Sequence, residues 1–150
     1  MALTLEDREA IHDLFARQNL AYDRREPEKT ANMYTENGVL EIDPGESRPG
    51  DPLVMKGRAA IEGYIRRLLA VTGADYRHWT NSIAIEGDGE HAEAECYIAA
   101  WGMDDGVFRL AGRYFDTLRK VNGEWLFEHR RYAGEYSSPG IGTSTDDLRE

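Results

Sequence analysis

Few side chains in this 150-residue sequence could carry acid–base or nucleophilic chemistry. His78 comes first. It lies in Tyr76–Glu86, where alternation predicts a strand with Tyr76, His78, Thr80, Ser82 and Ala84 on one face and Arg77, Trp79, Asn81, Ile83 and Ile85 on the other. Neither face is cleanly polar, so both are expected to be partly buried. A histidine beside a threonine on an inward face suits a pocket wall, where an imidazole can give or take a proton. A structural histidine bonded to backbone fits the same pattern. Asp23 comes second. It falls just past the edge of the apolar stripe of a first helix, a place equally suited to an exposed carboxylate paired with Arg24 or Arg25.

Other candidates carry less. His12, His91 and His129 lack ligand spacing, and neither a His-x-x-x-Glu nor a Cys-x-x-Cys arrangement signals a metal. No cofactor is signalled. Gly87-Asp88-Gly89 reads as a hairpin turn rather than a phosphate loop, and Ser137-Ser138 has no nucleophile-elbow context. Cys96 has no cysteine to pair with and reads as a small buried hydrophobe. Glu93 and Glu95 share a strand face and are expected in solvent. Tyr22, Tyr34, Tyr97, Trp101, Phe108 and Tyr114 could line a pocket or simply fill the core.

The net charge of −10, from 18 basic and 28 acidic residues, disfavours nucleic acid and anionic membranes as partners. The opening MALTLEDREA lacks the layout of a signal peptide, and no apolar run approaches a membrane span. The expectation is a soluble cytoplasmic protein.

The elements that would position these residues fall in a clear order. Thr4 and Asp7 read as a capping pair opening a helix, with a buried face at Ile11, Leu14, Phe15, Gln18 and Tyr22 and an end near Asp23–Arg25. Pro27 starts a second helix running through Ala31 and Tyr34, which Asn37-Gly38 stops. Val39–Asp43 predicts a strand, Pro44–Pro52 a loop, and Leu53–Lys56 a short strand. Gly57 leads into a third helix with its stripe at Ile61, Tyr64, Ile65, Leu68 and Leu69, and Gly73 as a cap. Four long strands follow, Tyr76–Glu86, Glu90–Met103, Val107–Val121 and Trp125–Tyr136, joined by Asp-Gly and Asn-Gly turns. Helices first and an antiparallel meander after them predict one α+β domain over 1–136, with a polar, loose tail over 137–150.

Taken together, these segments resemble the SnoaL-like branch of the superfamily named after nuclear transport factor two. The likeness lies in Ile11-His-Asp-Leu-Phe through Tyr22-Asp23, Lys56-Gly-Arg-Ala-Ala-Ile-Glu, Arg77-His78-Trp-Thr-Asn81, and Gly112-Arg-Tyr-Phe-Asp116 with Asn122-Gly-Glu-Trp125. The resemblance implies a cone-shaped α+β barrel, in which a strongly bent, mainly antiparallel sheet wraps N-terminal helices and encloses an apolar cavity. It also implies a homodimer or homotrimer. Members include scytalone dehydratase, ketosteroid isomerase, hexachlorocyclohexane dehydrochlorinase and the small subunit of ring-hydroxylating dioxygenases, so fold alone does not name a reaction.

In dehydratase-like members an acid at the place of Asp23 and a strand histidine at the place of His78 form a dyad. Tyr22 and Tyr34 resemble the tyrosines that polarise a substrate oxygen there. Phe15, Trp79, Tyr97, Trp101 and Tyr114 are expected to line the pocket. Two features depart from the pattern. No second cavity histidine lies in Glu93–Met103, and Gln18 stands where the dehydrochlorinase has a lysine. The implied activity is a cofactor-independent lyase or isomerase acting on a small, neutral, hydrophobic ring compound. A noncatalytic binding protein or a dioxygenase small subunit are the alternatives.

Overall fold

The computed structural model describes residues 1–72, 76–138 and 144–150. The first helix, α1 (Leu5–Asp23), opens as its capping pair requires. The Thr4 hydroxyl accepts from the Asp7 backbone N–H at 3.0 Å, and the Asp7 carboxylate accepts from the Thr4 N–H at 3.1 Å. Ile11, Leu14, Phe15, Gln18 and Ala21 form its buried face, packed on the sheet. Asp7 does more than cap. It also accepts from Lys120 Nζ at 2.9 Å and Trp125 Nε1 at 3.0 Å, fastening the start of α1 to the last hairpin.

The second helix, α2 (Pro27–Ala31), is shorter than the sequence suggests. Tyr34 is not in it but begins strand β1 (Tyr34–Asp43), and Asn37-Gly38 lies inside that strand. The pairing shifts between Tyr34 and Val39, so the Asn-Gly pair is a bulge and not a helix stop. A Cβ on Gly38 would lie 2.9 Å from both the Thr35 carbonyl oxygen and the Tyr34 Cβ, a close approach that only glycine permits. Strand β2 (Leu53–Lys56) and helix α3 (Arg58–Thr72) follow as expected, and Gly57 bridges them with φ +88°. The cap proposed at Gly73 lies outside the described residues.

The four long strands are β3 (Tyr76–Gly87), β4 (His91–Gly102), β5 (Phe108–Val121) and β6 (Glu124–Ser137). Asn122 and Gly123 turn β5 into β6 with φ of 51° and 81°, the left-handed pair that a type I′ hairpin demands. The sheet has six strands in the order β2-β1-β6-β5-β4-β3. All neighbours are antiparallel except β1 and β6, which run parallel. The fold is therefore α+β with a mixed, mainly antiparallel sheet. The sheet is not closed: β2 and β3 remain its two edges, with helix α1 packed on β3 and β6 and helix α3 on β1 and β2.

The core contains an ion pair. Arg130 and Asp116 are both buried and meet through two hydrogen bonds, of 2.8 and 3.1 Å. The guanidinium also stacks on the Tyr114 ring at 3.6 Å and faces Phe127 at 4.2 Å. Burial works against the Arg130 charge, but the adjoining Asp116 carboxylate more than offsets this and keeps it firmly cationic. Burial pushes Asp116 upward, and Arg130 pulls it back.

The C-terminal segment is not loose where it is described. Thr145–Leu148 forms a short 3-10 helix, with Thr145 and Leu148 buried. Arg67 Nε donates to the Leu148 carbonyl at 2.8 Å, and the Thr145 hydroxyl donates to the Asp51 carbonyl at 2.7 Å. Leu148 is the one apolar side chain of this short helix, and its burial is what docks it.

Candidate functional site

A cavity of about 90 Å³ opens between the end of α1, one face of α3, the loop after β1 and the inner face of the sheet. Its chemistry centres on two residues that are 55 positions apart. His78 Nδ1 lies 2.5 Å from Asp23 Oδ1, and the His78 backbone N–H donates to Asp23 Oδ2 at 3.0 Å. The two side chains are only 14% and 8% exposed, so the pair is largely withdrawn from water. Both line the cavity.

Local structure explains why they meet. Asp23 is the last residue of α1, where the carbonyl end of the helix dipole disfavours a carboxylate. The two donors on His78 supply the compensation. One turn earlier, Asn19 Nδ2 donates to Thr80 Oγ1 at 3.0 Å, which pins α1 to β3 on the same side. For a neutral ring, the Asp23 contact places the proton on Nδ1 and leaves the Nε2 lone pair for a ligand.

A bulge in β3 makes that orientation compatible with the core. Ser82 has φ +52°, and the pairing shifts between Asn81 and Ala84. Two residues here oppose one on β4, so the strand changes parity. Before the bulge His78 and Thr80 face α1; after it Ile85 is buried and Ala84 is exposed. The expected single face from Tyr76 to Ala84 therefore breaks at Ser82. Alternation sees no extra residue, which is why the sequence shows both faces as mixed.

Tyr22 stands edge-on to the His78 ring with centroids 5.1 Å apart. Burial pushes its hydroxyl well above the ordinary tyrosine range, helped by neighbouring Tyr64, Tyr114 and Tyr34. Tyr64 of α3 and Tyr132 of β6 also line the cavity, and burial raises each to about 12. These phenols remain protonated donors throughout the neutral range. Tyr114 lines the cavity too.

The remaining expected wall residues lie elsewhere. On β4 the even-numbered residues from Ala92 to Gly102 are buried and the odd-numbered face outward. The parity that puts Glu93 and Glu95 in solvent also carries Tyr97 and Trp101 to the outer face, where Ile98 takes the inner place. Trp79 neighbours His78 and so points the opposite way; Trp79 and Tyr97 are 50% and 52% exposed. Phe15 is core, packed edge-on to Phe127 at 5.5 Å. Tyr34, expected as a second oxyanion donor, is buried against Phe127 and does not line the cavity.

Conversely, Arg25, Arg48, Tyr76, Leu68 and Leu69 line it. Leu68 and Leu69 carry the signal of the α3 stripe. Arg48 sits in a proline- and glycine-rich loop, where no periodicity marks an inward residue. Cys96 is buried, and desolvation pushes its thiol up to about 12, so it behaves as a hydrophobe. Among the described residues no group of His, Cys, Asp and Glu is arranged to hold a metal ion, and no helix is long and apolar enough to cross a membrane.

Comparisons with known proteins match this architecture. A family model described as a SnoaL-like domain matches residues 3–131. A Nostoc punctiforme protein of unknown function with a cystatin-like fold superposes with a TM-score of 0.82 at 24% identity, covering 93% of this chain and 98% of its own. A Mycobacterium tuberculosis protein of unknown function gives 0.78 at 23% identity, covering 95% and 85%. A Novosphingobium aromaticivorans protein assigned provisionally as a scytalone dehydratase gives 0.73 at 20% identity, covering 93% and 96%. At these identities the likeness is one of fold. No curated protein sequence matches the chain.

Proposed function

The chain belongs to the SnoaL-like domain family, and from that premise we propose that it is a lyase or isomerase in which His78 and Asp23 move a proton on a small ring-containing substrate. One observation carries the reading. The Asp23–His78 contact engages Nδ1, and the ring it orients borders a cavity. A histidine held only for structure needs no cavity beside its ring.

In this mechanism His78 Nε2 removes a proton from carbon next to a carbonyl or a leaving group. Asp23 holds the ring in the required tautomer and stabilises the imidazolium that forms, the role an aspartate plays toward histidine in a Ser-His-Asp triad, here without a serine. Tyr22, beside the ring and still protonated, donates to the oxygen on which charge develops. If the neighbouring carbon bears a hydroxyl, the protonated His78 returns its proton to that oxygen and water leaves. If it does not, reprotonation at another carbon isomerises the substrate. The cavity, at about 90 Å³, is smaller than the roughly 150 Å³ that takes benzene, so a bound ring requires the wall to widen.

A noncatalytic binding protein would need the cavity but not the pair, and this separates the readings. A panel of hydroxylated and keto ring compounds is assayed by mass spectrometry for loss of water or rearrangement, with wild type, His78→Ala and Asp23→Asn. The enzyme reading requires turnover that both substitutions abolish or cut by about 10²-fold or more. Turnover equal in all three proteins would remove the pair from the mechanism.

A further inference from the structure

The cavity wall carries a charge that a neutral substrate would leave unused. Arg48 reaches the cavity from the loop between β1 and β2, and its positive charge works against the rise that burial gives the Tyr64 hydroxyl on the same wall. Among the described residues no carboxylate forms an ion pair with it. A tyrosine hydroxyl can satisfy one of five guanidinium N–H donors and none of the charge. In a wall otherwise made largely of tyrosine, leucine and isoleucine, such a cation favours an anionic partner over water.

The loop is fastened on both sides of Arg48. The Ser47 hydroxyl donates to the Pro44 carbonyl at 2.5 Å. The Pro49 carbonyl accepts from the Thr145 N–H and the Ser144 hydroxyl, each at 3.3 Å. Gly50 has φ +109°, and a Cβ there would fall 1.9 Å from the Thr145 hydroxyl oxygen, so the C-terminal turn and the loop fit closely. Arg48 is thus carried on a braced loop. Arg25, at φ +60° and donating to the Leu69 carbonyl at 2.7 Å, also borders the cavity.

We propose that Arg48 is the specificity-determining residue of the cavity and selects a small ring substrate that carries a carboxylate. This rests on the reading of Asp23 and His78 as the reacting pair, and it orients the substrate. The Asp23 carboxylate repels a second anion, so the substrate carboxylate lies at the Arg48 and Tyr64 end, and the ring carbon that loses its proton lies at His78 Nε2.

Binding of benzoate and of its neutral isostere benzamide is measured by ligand-observed NMR titration at fixed ionic strength and neutral pH. The proteins are wild type, Arg48→Met and Arg48→Lys, each first shown to be folded by its urea midpoint. Wild type is expected to bind benzoate about tenfold more tightly than benzamide. Arg48→Met collapses that preference, and Arg48→Lys retains part of it. A wild type that binds benzoate no more tightly than benzamide, or an Arg48→Met variant with the preference intact, overturns the proposal. The assay reads no turnover, so failure of the Asp23–His78 mechanism would show in the substrate panel and leave this result standing.

Discussion

The Asp23 carboxylate holds His78 at two points, accepting from the ring at 2.5 Å through one oxygen and from the backbone N–H at 3.0 Å through the other. The backbone contact fixes where the strand meets the helix end, and the ring contact fixes which nitrogen is left free.

This geometry predicts a tautomer. In wild type, ¹⁵N–¹H correlation spectra of the neutral His78 ring should show the proton on Nδ1. In Asp23→Ala, with that acceptor gone, the proton should redistribute toward Nε2. A wild-type ring protonated on Nε2 would mean that this nitrogen has no free lone pair.

The buried Asp116–Arg130 pair predicts a steep and asymmetric cost. Asp116→Asn leaves Arg130 charged and uncompensated among Phe15, Tyr114 and Phe127, and should destabilise the fold by about 3–5 kcal/mol. Asp116→Leu combined with Arg130→Met should recover most of that loss. Urea midpoints at unchanged slope measure both.

Asp7 predicts a pH dependence. Hydrogen bonds from Lys120, then Trp125 and Thr4, hold its carboxyl far below the ordinary value of 3.8. The unfolded chain therefore takes up a proton at Asp7 before the folded one does. The stability contributed by ionised Asp7 is complete above about pH 5, where both states are ionised, and falls as the pH drops through the ordinary carboxylate range and below. The stability difference between wild type and Asp7→Asn, from urea unfolding, should be largest near neutrality and shrink steadily below about pH 4.

The outer face of the sheet predicts self-association. Trp79, Trp101, Phe108 and Tyr136 form a continuous aromatic strip with centroid spacings of 5.0, 4.9 and 5.3 Å, and Tyr97 beside it is half exposed. The occupant predicted for this strip is a second copy of the chain. Tyr97→Glu should weaken self-association by about tenfold or more in sedimentation velocity without changing the unfolding midpoint.

Much of the fold was legible because its signals are local. The Thr4–Asp7 cap, the Asn122-Gly123 turn and the alternation of β4 each act over a few residues, and each appears in the structure where the sequence places it. The failures are equally specific. Asn37-Gly38 breaks a helix in general but is here a strand bulge, chosen by the close passage of β1 beside β6. Parallel pairing of β1 with β6 joins segments far apart in the chain and leaves no local trace. At the site, neither the spacing of Asp23 nor that of His78 marks a pair; the family resemblance joined them. The exclusion of Trp79, Tyr97 and Trp101 from the cavity could have been read from strand parity, since Tyr97 and Trp101 share the phase of Glu93 and Glu95. Arg48 could not, because a loop has no period from which to infer an inward side chain.

His78, oriented by Asp23, is proposed to move protons at carbon inside the cavity. Deuterium incorporation beside the carbonyl of cyclohexanone and of 4-oxocyclohexanecarboxylate in D₂O tests it directly, because it requires only the first proton transfer and not a completed reaction. Wild type should accelerate exchange above background, His78→Ala should return it to background, and Asp23→Asn should lower it by about 10²-fold or more. Exchange that is the same in wild type, His78→Ala and Asp23→Asn would contradict the account.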